Sequence, residues 1–181
     1  MYKRIVLLGM PCSGKSSIGR AVAAQLKCRF IDMDQMIEQR TGMTIPELFE
    51  KKGEATFRKL EEILAKKLGQ TQNVVISTGG GIVTRPESIE ALANEESYVI
   101  FLYRSFYKLV STPQGIINRR PLLREKSASE FHAMYKERMP LYRKYCTVEV
   151  KNETEREESV RDILEKVREE SIHFSKKGGT L

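Results

Sequence analysis

The stretch Gly9-Met10-Pro11-Cys12-Ser13-Gly14-Lys15-Ser16 fits the pattern G-x-x-x-x-G-K-[ST]. Its surroundings make it constraining. An apolar run, Ile5-Val6-Leu7-Leu8, stands directly before it, and a helical pattern with Ile18, Val22, Ala23 and Leu26 on one stripe follows from near Ser13. A strand, a glycine-bearing loop and a helix in that order turn successive backbone N–H groups toward an anion, and the helix N-terminus adds its partial positive charge. The expected ligand is ATP. Cys12, Ser13, Gly14, Lys15, Ser16 and Ser17 are then its phosphate-binding residues, with Lys15 reaching the β- and γ-phosphates and the Ser16 hydroxyl on Mg²⁺.

Beyond this loop, strand and helix patterns alternate. Arg29-Phe30-Ile31 reads as a short strand ending at Asp32-Met33-Asp34, and Val74-Val75-Ile76 as a strand buried on both faces. Tyr98 to Tyr103 is a further strand, and Cys146 to Val150 another, nearer an edge because its character alternates. Thr44-Ile45-Pro46-Glu47 has the form of a capping box and opens a helix that Gly53 breaks. A second helical run extends from about Glu54 to Leu68, with Phe57, Leu60, Ile63, Leu64 and Leu68 as its apolar stripe, Arg58 and Glu61 beside it, and Gly69 closing it. Pro86 starts a short helix and Ser105 another. Ser127-Ala128-Ser129-Glu130 opens a longer helix through Tyr142, and Thr154 with Glu157 caps the last.

That succession predicts an α/β fold of the P-loop type: three layers, α/β/α, with a five-stranded parallel sheet flanked by helices. A length of 181 residues suits one domain, placed over 1–170. From Ser111 to Glu125 the periodicity lapses around Pro113, Gly115, Arg119-Arg120 and Pro121, which predicts a mobile lid over about 111–125. Residues 171–181 read as a disordered tail.

Charge narrows the partners. Lys and Arg number 31 against 24 Asp and Glu, a net charge of +7 that favours anionic ligands. The basic residues are scattered and no Trp is present, so no stacking platform for nucleic acid is expected. Cys12, Cys28 and Cys146 lack the spacing of a zinc site or a disulfide framework, and no apolar run approaches the roughly eighteen residues that span a bilayer. A cytoplasmic protein without membrane contact is expected. No broad apolar stripe is left over for a dimer face, so a monomer is expected as well.

Asp32 and Asp34 follow the second strand, and Gly79-Gly80-Gly81 the third, which places both at the rim where the phosphate loop stands. Three glycines at a strand end suggest close backbone approach to a ligand. Adding Phe57-Arg58 with Glu61, Arg120-Pro121-Leu122-Leu123 and Arg138-Met139-Pro140-Leu141-Tyr142, the chain resembles the shikimate kinase family from Met1 to about Val167. The resemblance implies transfer of the γ-phosphoryl group of ATP to the 3-hydroxyl of shikimate. It implies that Asp32 joins Ser16 at Mg²⁺, that Asp34 orients the attacking hydroxyl, and that Arg58 and Arg138 grip the substrate carboxylate. By the same resemblance Gly79, Gly80 and Gly81 contact the ring hydroxyls, and Arg120 meets the transferring phosphoryl group beside Lys15. Where many relatives carry an arginine against adenine, this chain reads Ser111-Thr112-Pro113-Gln114. Each residue also has a plainer reading. Asp32 would be a turn residue, Asp34 a helix cap, Arg58 a partner of Glu61 or Glu62, and Arg138 a partner of Glu137. A gluconate-type kinase and a catalytically silent relative are the competing functions.

Overall fold

A computed structural model describes residues 2–111 and 127–170. The expected lid from 112 onward, Arg120 within it, and the expected tail lie outside the described residues. The elements run β1 (Arg4–Leu8), α1 (Lys15–Leu26), β2 (Arg29–Asp32), α2 (Met33–Thr41), α3 (Ile45–Leu68) and β3 (Val74–Ser77). A 3₁₀ turn at Ile82–Thr84 leads into α4 (Pro86–Leu92), followed by β4 (Ser97–Tyr103) and α5 (Phe106–Val110). After residue 127 come α6 (Ala128–Tyr145), β5 (Val148–Lys151) and α7 (Arg156–Glu169). All strand pairs are parallel, in the order β2-β3-β1-β4-β5. The edge position expected for the fifth strand is therefore observed.

Alternation along β1 shows why the sheet needs two covers. Ile5 and Leu7 point to one face, where Ile18, Val22 and Ala23 of α1 and Ile163 and Val167 of α7 pack on them. Val6 and Leu8 point to the other, against Met33 and Ile37 of α2, Leu64 and Leu68 of α3, Ile89 and Leu92 of α4, and Tyr142 of α6. The consequence for function lies in the connections. β1 is followed by a helix on one face and its neighbour β3 by a helix on the other, so the chain parts between their carboxyl ends. Sheets of this kind open a ligand crevice at that point. The phosphate loop leaves β1 there, and Gly79-Gly80-Gly81 leaves β3.

Local expectations meet different outcomes. The break expected at Gly53 is present: its φ of 78° and ψ of 162° are non-helical and divide α3 into two helical runs across a kink, while other local expectations need correction. Gly69 does end that helix, but with φ −61° it needs no left-handed backbone. A Cβ there would stand 2.1 Å from the Ala91 carbonyl oxygen, so the glycine answers the close passage of α4. Ile63, read as part of the apolar stripe, is 52 % exposed, because α3 turns that side to solvent. α6 runs past its expected end at Tyr142 and closes at Tyr145. Glu155, not Thr154, is the N-cap of α7, and the Thr154 hydroxyl instead donates to Glu158. Among the described residues, no helix is long and apolar enough to cross a membrane.

At the end of the sheet away from the crevice, Arg4 is fully buried and draws two connections together, that from α3 to β3 and that from α4 to β4. Its guanidinium donates to the Thr71 carbonyl (2.8 Å), Asn94 Oδ1 (2.8 Å), Ser97 Oγ (2.9 Å) and Glu96 Oε2 (3.0 Å). Replacing it removes four donated bonds, one of them to the buried Ser97 hydroxyl. Arg4→Met is expected to cost about 1–3 kcal/mol, which lowers the melting temperature by about 2–4 °C per kcal/mol in a domain of this size. A melting scan of parent and variant checks this, and an unchanged midpoint would refute the structural role of Arg4.

Candidate functional site

The phosphate loop is held open by backbone geometry and by its neighbours. Gly14 caps α1 at φ 90°, and Cys12 also adopts a left-handed φ of 66°. Ser13 N–H donates to the Met10 carbonyl at 3.1 Å, closing the turn. From the end of β5, Asn152 Nδ2 donates to the Ser13 carbonyl at 2.9 Å, and its own Oδ1 accepts from Ser159 on α7 at 3.0 Å. Lys15 and Ser16 open the first turn of α1. The Lys15 ammonium, on a residue 7 % exposed, donates to the Gly9 and Met10 carbonyls at 2.9 Å each, so it lies folded along the inside of the loop. Asn152 was not singled out from sequence. Its role depends on the edge strand ending beside the loop, which no local pattern announces.

Beside the loop, oxygen donors converge. Parallel register sets Asp32 of β2 opposite Ser77 of β3, and the Ser16 and Ser77 hydroxyl oxygens stand 3.3 Å apart. Asp32 Oδ1 accepts from Gln35 N–H at 3.3 Å, so Asp32 rather than Asp34 caps α2, and Asp34 lies in its first turn. A carboxylate with hydroxyls is a hard-oxygen set of the kind that Mg²⁺ takes, since that ion keeps several waters and shares phosphate oxygens. These residues fit the ion. Among the described residues no group of three or more His, Cys, Asp or Glu side chains is placed to hold a metal unaided. Ser77 was missed because it is only the last residue of a buried strand until the register brings Ser16 to it.

On the far side of the crevice stand the buried charges. Arg58 is 7 % exposed, with Nη1 donating to Glu61 Oε2 at 2.7 Å and with Nε and Nη2 reaching Glu54 Oε1 at 3.1 and 3.0 Å. The pairing weighed in the sequence thus exists, but with Glu61, itself 1 % exposed, it is a buried pair and not a surface one. Arg138, also 7 % exposed, ignores Glu137 and sends Nη1 to the Gly80 carbonyl at 3.2 Å. The same carbonyl accepts from the Tyr142 hydroxyl at 2.5 Å. Two buried polar atoms here, Glu61 Oε1 and Arg138 Nε, have no hydrogen-bond partner among the described residues.

The three glycines account for themselves one by one. A Cβ on Gly79 would meet Glu61 Oε1 at 2.6 Å and Asp34 Oδ1 at 3.0 Å; one on Gly80 would meet Pro11 Cδ at 2.6 Å; one on Gly81 would meet Arg58 Nη2 at 2.5 Å. None has a positive φ. They are needed for close approach, which brings Asp34, Arg58, Glu61, Arg138 and the phosphate loop around one short backbone segment.

Burial raises the pKa of the Glu61 carboxyl, and its attraction to Arg58 does not fully reverse this; Asp34 adds a further push upward. A carboxyl whose pKa is higher folded than unfolded adds stability at low pH and loses it as pH rises through the folded value. Glu61→Gln removes that part. The melting temperature of the parent minus that of Glu61→Gln is therefore expected to fall as pH rises from about 4 to about 7. Scans of both proteins across that range test it, and a constant difference would count against a raised Glu61.

With this geometry in view, comparison with known proteins is specific. A family model described as Shikimate kinase matches residues 11–168. The shikimate kinase of Clostridium beijerinckii is 42 % identical over 165 residues, covering 91 % of this chain and 95 % of its own. Among solved structures, shikimate kinase from Acinetobacter baumannii in complex with shikimate superposes with a TM-score of 0.87 at 31 % identity, covering 96 % of this chain and 97 % of the other. That from Aquifex aeolicus superposes with a TM-score of 0.79 at 36 % identity, covering 93 % and 98 %. The chain belongs to the shikimate kinase family, and so to the ATP-dependent kinases.

Proposed function

We propose that the chain phosphorylates the 3-hydroxyl of shikimate at the expense of ATP, as a single domain over 1–170 acting as a cytoplasmic monomer. One observation carries the reading: the phosphate loop, the nearly buried Arg58 and Arg138 and the carboxylate of Asp34 all lie against the short segment Gly79-Gly80-Gly81. A donor anion on one side and a carboxylate-bearing polyol on the other match that division of charge. Phosphoryl transfer asks little covalent chemistry of a protein and much positioning, which is what this arrangement supplies.

The roles follow from the atoms. Lys15 exchanges the Gly9 and Met10 carbonyls for phosphate oxygens, keeping its charge where the transferred group moves. Arg58 and Arg138 present planar forks suited to a carboxylate, and Arg138 Nε, without a partner among the described residues, is one donor for it. Asp34, on the first turn of α2 and near Gly79, accepts the proton of the attacking hydroxyl or orients it by hydrogen bonding. Backbone groups of Gly79, Gly80 and Gly81 line the ring. Cys12, Ser13, Gly14 and Ser17 complete the phosphate cradle. Mg²⁺, held at Ser16 and Asp32, would supply charge neutralisation between the phosphates. Arg120 is assigned to the transferring phosphoryl group by family resemblance alone, since it lies outside the described residues.

ADP release from Mg·ATP, measured with shikimate, with gluconate and with no acceptor, tests the reaction. Turnover is expected to require shikimate. Turnover with gluconate alone would overturn the reading of the arginine pair, and ATP binding without acceptor-dependent turnover would favour the catalytically silent relative. For Arg120→Ala, kcat is expected to fall by about a hundredfold or more, with a far smaller change in the KM for shikimate. Equal losses in both would argue against action in the transition state.

A further inference from the structure

Tyr142 belongs to the motif Arg138-Met139-Pro140-Leu141-Tyr142 but received no role from the sequence. It lies one turn beyond Arg138 on α6, has no exposed surface, and stacks on Phe101 of β4 with ring centroids 5.0 Å apart at 19°. The stack needs only the ring. A phenylalanine would satisfy it, so the hydroxyl requires a separate reason.

That hydroxyl stands between the two halves of the crevice. It donates to the Gly80 carbonyl at 2.5 Å and lies 3.7 Å from the Met10 sulfur in the phosphate loop. Gly80 in turn touches the same loop directly, since a Cβ on it would lie 2.6 Å from Pro11 Cδ and 3.0 Å from Pro11 N. The Gly80 carbonyl is shared with Arg138, and the Met10 carbonyl with Lys15. A continuous set of direct contacts therefore runs from Lys15 through Met10, Tyr142 and Gly80 to Arg138.

We propose that Tyr142 is a positioning residue that couples the two sites, so that nucleotide in the phosphate loop tightens the binding of shikimate, and shikimate that of nucleotide. This rests on the reading of the crevice given above. Binding of phosphate draws Lys15 off the Met10 carbonyl and lets the Met10–Pro11 segment settle on the nucleotide. Pro11 packs closely against Gly80, and Tyr142 donates to the Gly80 carbonyl that also accepts from Arg138. Burial pushes the Tyr142 phenol pKa well above its usual value, so it stays a protonated donor throughout the working range. Thermodynamic reciprocity requires the effect to be equal in both directions.

Calorimetric titration of shikimate into the parent protein and into Tyr142→Phe, each with and without saturating Mg·ADP, tests the proposal. In the parent, Mg·ADP is expected to tighten shikimate by about fivefold or more, within the usual range of site coupling. In Tyr142→Phe that factor is expected to fall below about twofold, while the affinity for Mg·ADP alone stays unchanged. A purely structural hydroxyl would lower the melting temperature and leave the factor intact. Full coupling in Tyr142→Phe, or none in the parent, overturns the proposal and leaves the kinase reading standing. A parent that binds Mg·ADP but no shikimate overturns the kinase reading beneath it. Should Tyr142→Phe fail to fold, Pro11→Ala removes the ring carbons Cγ and Cδ that pack nearest Gly80; it is expected to weaken coupling, and full coupling in that variant overturns the proposal.

Discussion

The bare backbone of Gly79-Gly80-Gly81 is the contact on which the rest of this crevice depends. Its α-carbons lie so near Asp34, Glu61, Pro11 and Arg58 that a single methyl at any of the three would meet a neighbour at 2.6 Å or less. Two parts of the chain more than sixty residues apart, the phosphate loop and the end of β3, are thereby held in van der Waals contact. A phosphoryl donor and its acceptor must meet within a few tenths of an ångström of reactive geometry, and a displacement of about 1 Å can cost about a hundredfold in rate. Side chains at these positions would impose such a displacement directly.

Around that segment the molecule buries charge at a cost. Arg58, Glu61, Arg138 and Lys15 are all at most 7 % exposed. Such groups rarely add net stability, because desolvation offsets most of what pairing returns. Here they are balanced in a specific way. Glu61 neutralises part of Arg58 from behind, Gly80 and the phosphate loop offer carbonyls to Arg138 and Lys15, and one nitrogen of Arg138 keeps no partner among the described residues. Stability comes from elsewhere, from the two apolar faces of the sheet. The site can therefore stay polar and incompletely satisfied, as binding requires.

Much of this was legible in one dimension. The phosphate loop was readable because its pattern and its strand-to-helix context occupy consecutive residues. The capping boxes at Thr44 and Ser127 were readable for the same reason, and both form as expected. The sheet followed from the alternation of apolar runs with amphipathic ones. What escaped depends on contact between distant segments. Gly69 ends its helix as expected but is also a spacer for α4, and Glu61 looked like a surface partner and is a buried one. Ser77, Asn152 and Tyr142 were silent because their partners lie 61, 139 and 62 residues away.

The sequence by itself determined the class of fold, the phosphate loop and the set of side chains able to do the chemistry, because periodicity and local hydrogen bonding act over a few residues. Only the tertiary structure decided which of those side chains face one another. Strand order and parallel register place Asp32 against Ser77 and the phosphate loop against Gly80, and the glycines let that approach close. Those distances are set by how the two layers of helices pack on the sheet, and packing is a property of the whole chain rather than of any stretch within it.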